Sequence, residues 1–172
     1  AWVRDEIGRA VGLPPEIGGI PLDEIGATGL GVAIAAEVAQ QFSDLRIAGA
    51  RVAVQGFGSV GKHAARFLAE RGAVLVAAAD SKGTIYDERG LDVGALIALK
   101  ERGGCVIDHT AGTKLTADEV VGVPCDIWIP AARPDVLTAA NVDALQARLV
   151  VEGANIPTTP EAEARLHERG VL

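Results

Sequence analysis

An α/β fold, with a mainly parallel sheet and helices on both faces, is predicted by three observations on this 172-residue sequence. Short runs rich in Val, Ile and Ala alternate with segments in which apolar residues recur at helical spacing. Connections marked by Gly and Pro between these runs are short, which is typical of repeated strand–helix units. A strand, a glycine-rich turn and a helix follow one another directly near residue 56. We therefore expect a Rossmann-like, doubly wound domain over residues 1–172.

The first quarter of the chain predicts two helices separated by a loop rich in Gly and Pro. Residues 2–12 (WVRDEIGRAVG) form the first, with Trp2 on its apolar face and directed to the core. In the second, over residues 27–42, Thr28 fits an N-cap. The apolar positions of the first helix are Trp2, Val3, Ile7, Ala10 and Val11, and those of the second are Leu30, Ile34, Val38 and Phe42. A helix that opens the chain without a cap suggests a segment of a longer protein.

Residues 54–61 (VQGFGSVG) carry the most informative motif. The spacing of Gly56, Gly58 and Gly61 fits the G-x-G-x-x-G phosphate-binding pattern, between a strand over 50–55 and a helix that ends near Gly72. Gly56 allows a tight turn, Gly58 lets the backbone approach a pyrophosphate, and Gly61 lets the helix pack on the strand. We favour dinucleotide binding over a purely structural turn.

Two neighbouring features fit the same ligand. The helix that begins near Ser59 offers free N–H groups and the positive end of its dipole to an anion. Asp80 ends the next strand, 24 residues after Gly56, where an acidic residue accepts hydrogen bonds from the adenosine ribose. A carboxylate there repels a 2′-phosphate, which favours NAD. Lys82 can offset that charge and admit NADP.

The rest of the chain continues the alternation of helices and strands. We expect helices over 91–104, 117–122, 141–147 and 159–170, and strands over 105–107, 125–132 and 148–155. Thr116 and Glu119 predict a capping box, and Thr159 caps the last helix. Trp128, in an apolar strand, should lie in the core.

Composition excludes several functions. A net charge of −7 and a pI near 4.9 argue against a nucleic-acid or anionic-lipid partner. The longest apolar run is far shorter than a membrane span, so we expect a cytoplasmic protein. Cys105 and Cys125 lack zinc-site spacing and are interpreted as buried free thiols, with no metal expected. His63 is expected to face solvent, and neither His109 nor His167 is assigned chemistry.

Five stretches resemble the dinucleotide-binding domain of the glutamate dehydrogenases, within the wider glutamate, leucine, phenylalanine and valine dehydrogenase family. They are GGIPLDEIGATGLGV, VAVQGFGSVG, AADSKGTIYDERGLD, CDIWIPAA and VVEGANIPTTPEA. The resemblance implies that Thr28 contacts the nicotinamide carboxamide, that Ala131 and Ala132 lie beside the cofactor, and that Asn155 lies near the nicotinamide ribose. The expected cofactor-binding residues are Thr28, Gly56, Phe57, Gly58, Ser59, Val60, Gly61, Asp80, Ser81, Ala131, Ala132 and Asn155.

The resemblance also implies an activity, the NAD(P)-dependent oxidative deamination of L-glutamate to 2-oxoglutarate and ammonia. The family's catalytic lysine and aspartate match no position here, and none of Lys62, Lys82, Lys100 and Lys114 suits the role. We therefore expect a cofactor domain that binds the amino acid jointly with a second domain, is inactive alone, and belongs to a hexameric parent. A dehydrogenase of a branched or aromatic amino acid, and a non-catalytic dinucleotide-binding module, remain alternatives.

Overall fold

A six-stranded sheet forms the centre of the computed structural model, which describes residues 2–8 and 12–172. Its strands are β1 (Arg51–Gln55), β2 (Val74–Asp80), β3 (Gly83–Tyr86), β4 (Thr113–Leu115), β5 (Ile127–Pro130) and β6 (Leu149–Val150). The order across the sheet is β4-β3-β2-β1-β5-β6. Neighbours among β2, β1, β5 and β6 are parallel, whereas β3 pairs antiparallel with both β2 and β4. The predicted α/β class with a mainly parallel sheet is confirmed.

Six α-helices surround this sheet in the described part of the chain. They are α1 (Trp2–Ile7), α2 (Leu22–Ile25), α3 (Ala27–Ala39), α4 (Ser59–Ala69), α5 (Val93–Glu101) and α6 (Pro160–Glu168). Short 3-10 helices span Pro15–Ile17, Val106–Asp108, Asp118–Gly122 and Val142–Ala144. Among the described residues, none of the helices is long and apolar enough to cross a membrane.

Both faces of the sheet are buried. Because successive side chains of a strand point to opposite sides, each central strand contributes to both cores. Val52 and Val54 of β1 belong to the core beneath α3 and α4, whereas Ala53 belongs to the core on the other face. Trp128 lies in that second core, fully buried, and its indole Nε1 donates a hydrogen bond to the Val120 carbonyl at 3.1 Å. The expected core position of Trp128 is confirmed.

The buried face of α3 differs from the predicted one. Gly29, Val32, Ala33 and Ala36 are buried, whereas Leu30 is half-buried and the side chains of Ile34, Val38 and Phe42 are exposed. Small residues form the contact because the main chains of α3 and α4 nearly touch: a Cβ built on Gly29 would lie 2.7 Å from the Ala64 nitrogen. Gly26, not Thr28, is the N-cap residue.

The prediction for the first helix was wrong about Trp2. Its side chain is 87% exposed, because α1 contributes no buried residue to the described structure. Ala10 and Val11, which were expected on the same face, lie outside the described residues. The helix itself, over Trp2–Ile7, is present but shorter than expected.

Several short elements were also mispredicted. Residues 105–107 were expected as a strand, but they enter a 3-10 helix because their N–H groups are used elsewhere: Cys105 donates to the Asp108 carboxylate and Val106 to that of Asp80. The helices expected over 117–122 and 141–147 are short 3-10 helices. The antiparallel strands β3 and β4 were missed. Thr159 caps α6 as predicted, accepting a hydrogen bond from the Ala162 nitrogen.

Candidate functional site

A cavity of about 410 Å³ opens at the carboxyl ends of β1, β2 and β5. Ligands bind at this edge in open α/β sheets. Lys100, Asp118 and Arg133 contribute charge to the wall and were not assigned to the site from the sequence. Seven of the predicted cofactor residues line the cavity, namely Gly56, Phe57, Gly58, Asp80, Ser81, Ala131 and Ala132. The other five, Thr28, Ser59, Val60, Gly61 and Asn155, lie outside its wall.

The turn after β1 has the geometry that the first glycine was expected to provide. Gly56 has a φ of +95°, which L side chains rarely adopt, and its N–H and that of Phe57 both donate to the Ala79 carbonyl, at 3.0 and 2.8 Å. A Cβ built on Gly56 would lie 2.6 Å from the Ala132 Cβ. Any larger residue at position 56 would therefore displace the loop after β5.

Gly61 and Gly58 have opposite surroundings. A Cβ built on Gly61 would lie 2.0 Å from the Gly56 carbonyl oxygen, so the first turn of α4 packs directly on the glycine turn. A Cβ built on Gly58 would meet none of the described atoms within 4 Å. Among the described residues, no side chain caps the start of α4. The first N–H groups of this helix therefore face open space and are available to an anion.

Asp80 is held by three hydrogen bonds. Its Oδ2 accepts from Lys100 Nζ and the Val106 nitrogen, and its Oδ1 from the Lys82 nitrogen, each at 2.9 Å. Burial raises the pKa of this carboxyl, but the bonds from Lys100, Val106 and Lys82 outweigh burial and lower the pKa below its ordinary value. A carboxylate accepts about four hydrogen bonds. One position, on Oδ1, thus remains for a ligand.

The ion pair between Lys100 and Asp80 changes the charge of the cavity. Only 11% of the Asp80 side chain and 25% of the Lys100 side chain are exposed. Since Lys100 also lines the cavity, its ammonium group neutralises the carboxylate that a ligand would meet there. This pairing was missed from the sequence because Lys100 lies on α5, twenty residues after Asp80.

Ser59 and Val60, two of the residues outside the cavity wall, join the start of α4 to neighbouring segments. Ser59 Oγ donates to the Asp23 carbonyl at 3.4 Å, which ties the start of α4 to α2. A Cβ built on Gly153 would lie 3.0 Å from Val60 Cγ1 and 3.3 Å from the Ala131 Cβ. The loop that carries Asn155 therefore packs against the glycine turn and the end of β5.

Thr28 and Asn155, the two residues expected at the nicotinamide end, are both exposed. Thr28 lies in the first turn of α3, two residues after its N-cap Gly26. Asn155 precedes Ile156, a β-branched residue with the rare φ of +50°, whose carbonyl accepts a hydrogen bond from the Asp135 nitrogen at 3.1 Å.

His63 was expected to face solvent and is instead buried, with 7% exposure. It was misread because the sequence does not show that α4 turns this residue toward Gly26 and Gly29. Cys125 is buried as expected, and burial raises the pKa of its thiol to about 12, so it is inert at neutral pH. Cys105 was also expected to be buried but is only half-buried.

The model of the Glutamate/Leucine/Phenylalanine/Valine dehydrogenase family matches residues 18–172. The chain belongs to this family. Its dehydrogenase relatives include the glutamate dehydrogenase of Aeropyrum pernix, 41% identical over the whole chain and 43% of the relative. The NADP-specific glutamate dehydrogenase of Saccharolobus shibatae is 40% identical and the NAD-specific one of Staphylococcus aureus 38% identical, again over 100% of this chain and 43% of each relative.

Among solved dehydrogenase structures, the hetero-hexameric glutamate dehydrogenase of Thermus thermophilus, in a leucine-bound form, superposes with a TM-score of 0.80. It is 33% identical, and the match covers 98% of this chain and 41% of that one. The chain thus spans well under half the length of the dehydrogenases it matches.

Proposed function

We propose that residues 1–172 form the NAD(P)-binding domain of a glutamate dehydrogenase, which deaminates L-glutamate oxidatively to 2-oxoglutarate and ammonia. The observation that carries this proposal is the cavity bounded by Gly56, Phe57 and Gly58 on one side and by Asp80 on the other. Glutamate is favoured over other amino acids because the relatives with whole-chain similarity carry that name.

In this proposal, the chain binds and orients the dinucleotide. The pyrophosphate lies over Gly58, where a side chain is missing, against the N–H groups at the start of α4. The adenosine ribose donates a hydrogen bond to the remaining position on Asp80 Oδ1. Thr28, Ala131, Ala132 and Asn155 face the nicotinamide half. A bound nicotinamide ring would supply the hydride acceptor for the α-carbon of the amino acid.

The charges around Asp80 bear on the choice of cofactor. An unpaired carboxylate would repel a 2′-phosphate, but Lys100 pairs with Asp80, and the exposed Lys82 follows two residues later. We propose that NAD is the preferred cofactor and that NADP is also accepted. A relative named as NADP-specific and one named as NAD-specific both match this chain over its full length, at 40% and 38% identity.

The proposal assigns the amino-acid site and the catalytic lysine and aspartate to a second domain. Of the four lysines, Lys100 is paired with Asp80, Lys82 and Lys114 are exposed, and Lys62 is half-buried on α4, outside the cavity wall. A general base at neutral pH needs a site that lowers the pKa of a lysine. We therefore expect this chain to bind cofactor without turning over glutamate, and its whole protein to act in the cytoplasm as a hexamer.

Calorimetric titration of the 172-residue chain with NAD and with NADP tests the proposal. We expect Asp80→Asn to weaken NAD binding about tenfold, because a hydrogen bond to a charged group is lost. Asp87→Asn is the matched control, since Asp87 also pairs with a cation, Arg89, but lies outside the cavity wall. If neither dinucleotide binds to the folded chain, the proposal is wrong.

A further inference from the structure

His63 occupies the crossing between α3 and α4. A Cβ built on Gly26 would lie 2.4 Å from His63 Cγ and 2.7 Å from Nδ1, so the imidazole lies directly against the main chain of Gly26. A Cβ built on Gly29 would lie 2.6 Å from the His63 Cβ. Gly26 precedes Thr28 in the sequence and Gly29 follows it. His63 therefore contacts the helical turn that carries Thr28 at a residue before Thr28 and at a residue after it.

The imidazole has an unusual polar environment. Its Nδ1 is buried and forms no hydrogen bond with any described residue. The charges that act on the imidazole are those of Arg66 and Lys62 on its own helix and of Glu101 at the end of α5, and the Asp23 backbone supplies a hydrogen bond. Burial, then Arg66 and Lys62, lower the pKa of His63 below its ordinary value, whereas Asp23 and Glu101 oppose this shift less strongly. The ring is therefore neutral at neutral pH.

We propose that His63 is a positioning residue that fixes the first turn of α3, and with it Thr28, at the nicotinamide end of the cofactor site. This inference rests on the proposed function. His63 lies four residues after Ser59, so one rigid helix carries both the start of the pyrophosphate cradle and the side chain that packs under Thr28. The nicotinamide contact is thereby held at a fixed distance from the pyrophosphate.

Two consequences distinguish this role from a general contribution to folding. Removing the imidazole leaves a space beneath Gly26 and Gly29, which frees the turn at Thr28 while Gly56, Gly58 and Asp80 stay in place. Protonating the imidazole places a cation beside Arg66 and Lys62 in a buried position, which also displaces that turn. Both changes should affect the nicotinamide half of the ligand and spare the ADP half.

The test compares NAD with ADP-ribose, which lacks only the nicotinamide ring, by calorimetry on the same 172-residue chain. We expect His63→Ala to weaken NAD binding about tenfold at pH 8 and to leave ADP-ribose binding within about twofold. His167→Ala is the matched control, since His167 is an exposed histidine near the end of α6. It should change neither affinity.

A pH series supplies a second readout. NAD binding by the unmodified chain should weaken as the pH falls below about 6.5, because the ordinary pKa of histidine is about 6.5 and that of His63 lies below it. ADP-ribose binding should not follow this change. His63→Gln, whose side chain is neutral at every pH, should abolish this difference between the pH dependences of NAD and ADP-ribose binding. This variant also keeps the test valid if His63→Ala fails to fold.

The outcomes separate the two proposals. If neither NAD nor ADP-ribose binds to the unmodified chain, the proposed function fails and this inference fails with it. If both ligands bind but His63→Ala weakens them equally or weakens neither, or if NAD binding by His63→Gln keeps the pH dependence of the unmodified chain, the cofactor site stands and the positioning role of His63 is overturned.

Discussion

Gly58 and Gly61 lie three residues apart in one turn, and their surroundings predict opposite effects for the same substitution. We expect Gly61→Ala to destabilise the fold by about 3 kcal/mol, because its Cβ would overlap the Gly56 carbonyl oxygen. Gly58→Ala should cost at most about 1 kcal/mol, since the new Cβ enters open space at an N-cap position. Urea unfolding of both variants measures the difference.

Gly58→Ala should nevertheless abolish dinucleotide binding, because the Cβ would occupy the space assigned to the pyrophosphate. Calorimetry with NAD on the folded variant checks this. Unchanged affinity would mean that the pyrophosphate lies elsewhere. A Gly61→Ala variant as stable as the unmodified chain would contradict the close approach of α4 to the turn.

At this scale the sequence predicted the backbone geometry at Gly56 and Gly61 better than it predicted the burial of His63. The glycine pattern has a fixed relation between spacing and backbone geometry, so Gly56 and Gly61 have the expected surroundings. The burial of His63 depends on which face of α4 meets Gly26 and Gly29, and those glycines lie more than thirty residues earlier in the chain. No local pattern encodes such a contact.

At the scale of elements, α3 shows that a buried helix face made of small residues is difficult to predict from the pattern of apolar residues. The large apolar residues Ile34, Val38 and Phe42 dominate the helical pattern, yet Gly29, Ala33 and Ala36 are among the buried residues of the helix. Periodicity weighted by side-chain size therefore selects the wrong face. Strands β1 and β2 were predicted correctly because both of their faces are buried. Strand β3 was missed because it has only four residues, begins at Gly83 and is followed by Asp87.

This assignment of faces predicts how α3 responds to substitution. Val38→Gln should change the free energy of unfolding by less than about 0.5 kcal/mol, since Val38 is 46% exposed. Ala36→Val should destabilise by about 1–3 kcal/mol, because Ala36 is fully buried in the core beneath α3 and α4. Thermal unfolding followed by circular dichroism measures both. If Val38→Gln destabilised the chain more than Ala36→Val, the buried face of α3 would be the one predicted from the sequence.

For the whole molecule, His63 and Asp80 together make stability depend on pH in two separate ranges. Folding lowers the pKa of both groups, so the unfolded chain binds their protons more tightly and stability falls as the pH falls. The His63 contribution is fully present above its unfolded pKa, about 6.5, and is lost below it. The Asp80 contribution is present above about 3.9 and is lost in more acidic solution.

Urea unfolding at a series of pH values tests this division. His63→Gln should flatten the loss of stability between about pH 7 and 5, and Asp80→Asn should flatten the loss below about pH 4. His167→Gln, at an exposed site, should leave the curve unchanged. If His63→Gln leaves the loss between pH 7 and 5 intact, another group is responsible for it.

The antiparallel strands β3 and β4 have a consequence for association between molecules. β4 forms one edge of the sheet, has three residues, and exposes Thr113 and Lys114. A short edge strand with an exposed lysine resists the addition of a strand from another chain. At the opposite edge, Val150 donates its N–H to the Leu172 carbonyl, so residue 172 covers part of β6. Both edge strands therefore disfavour the pairing of their free backbone N–H and C=O groups with a strand of another molecule, which is the first step of fibril formation.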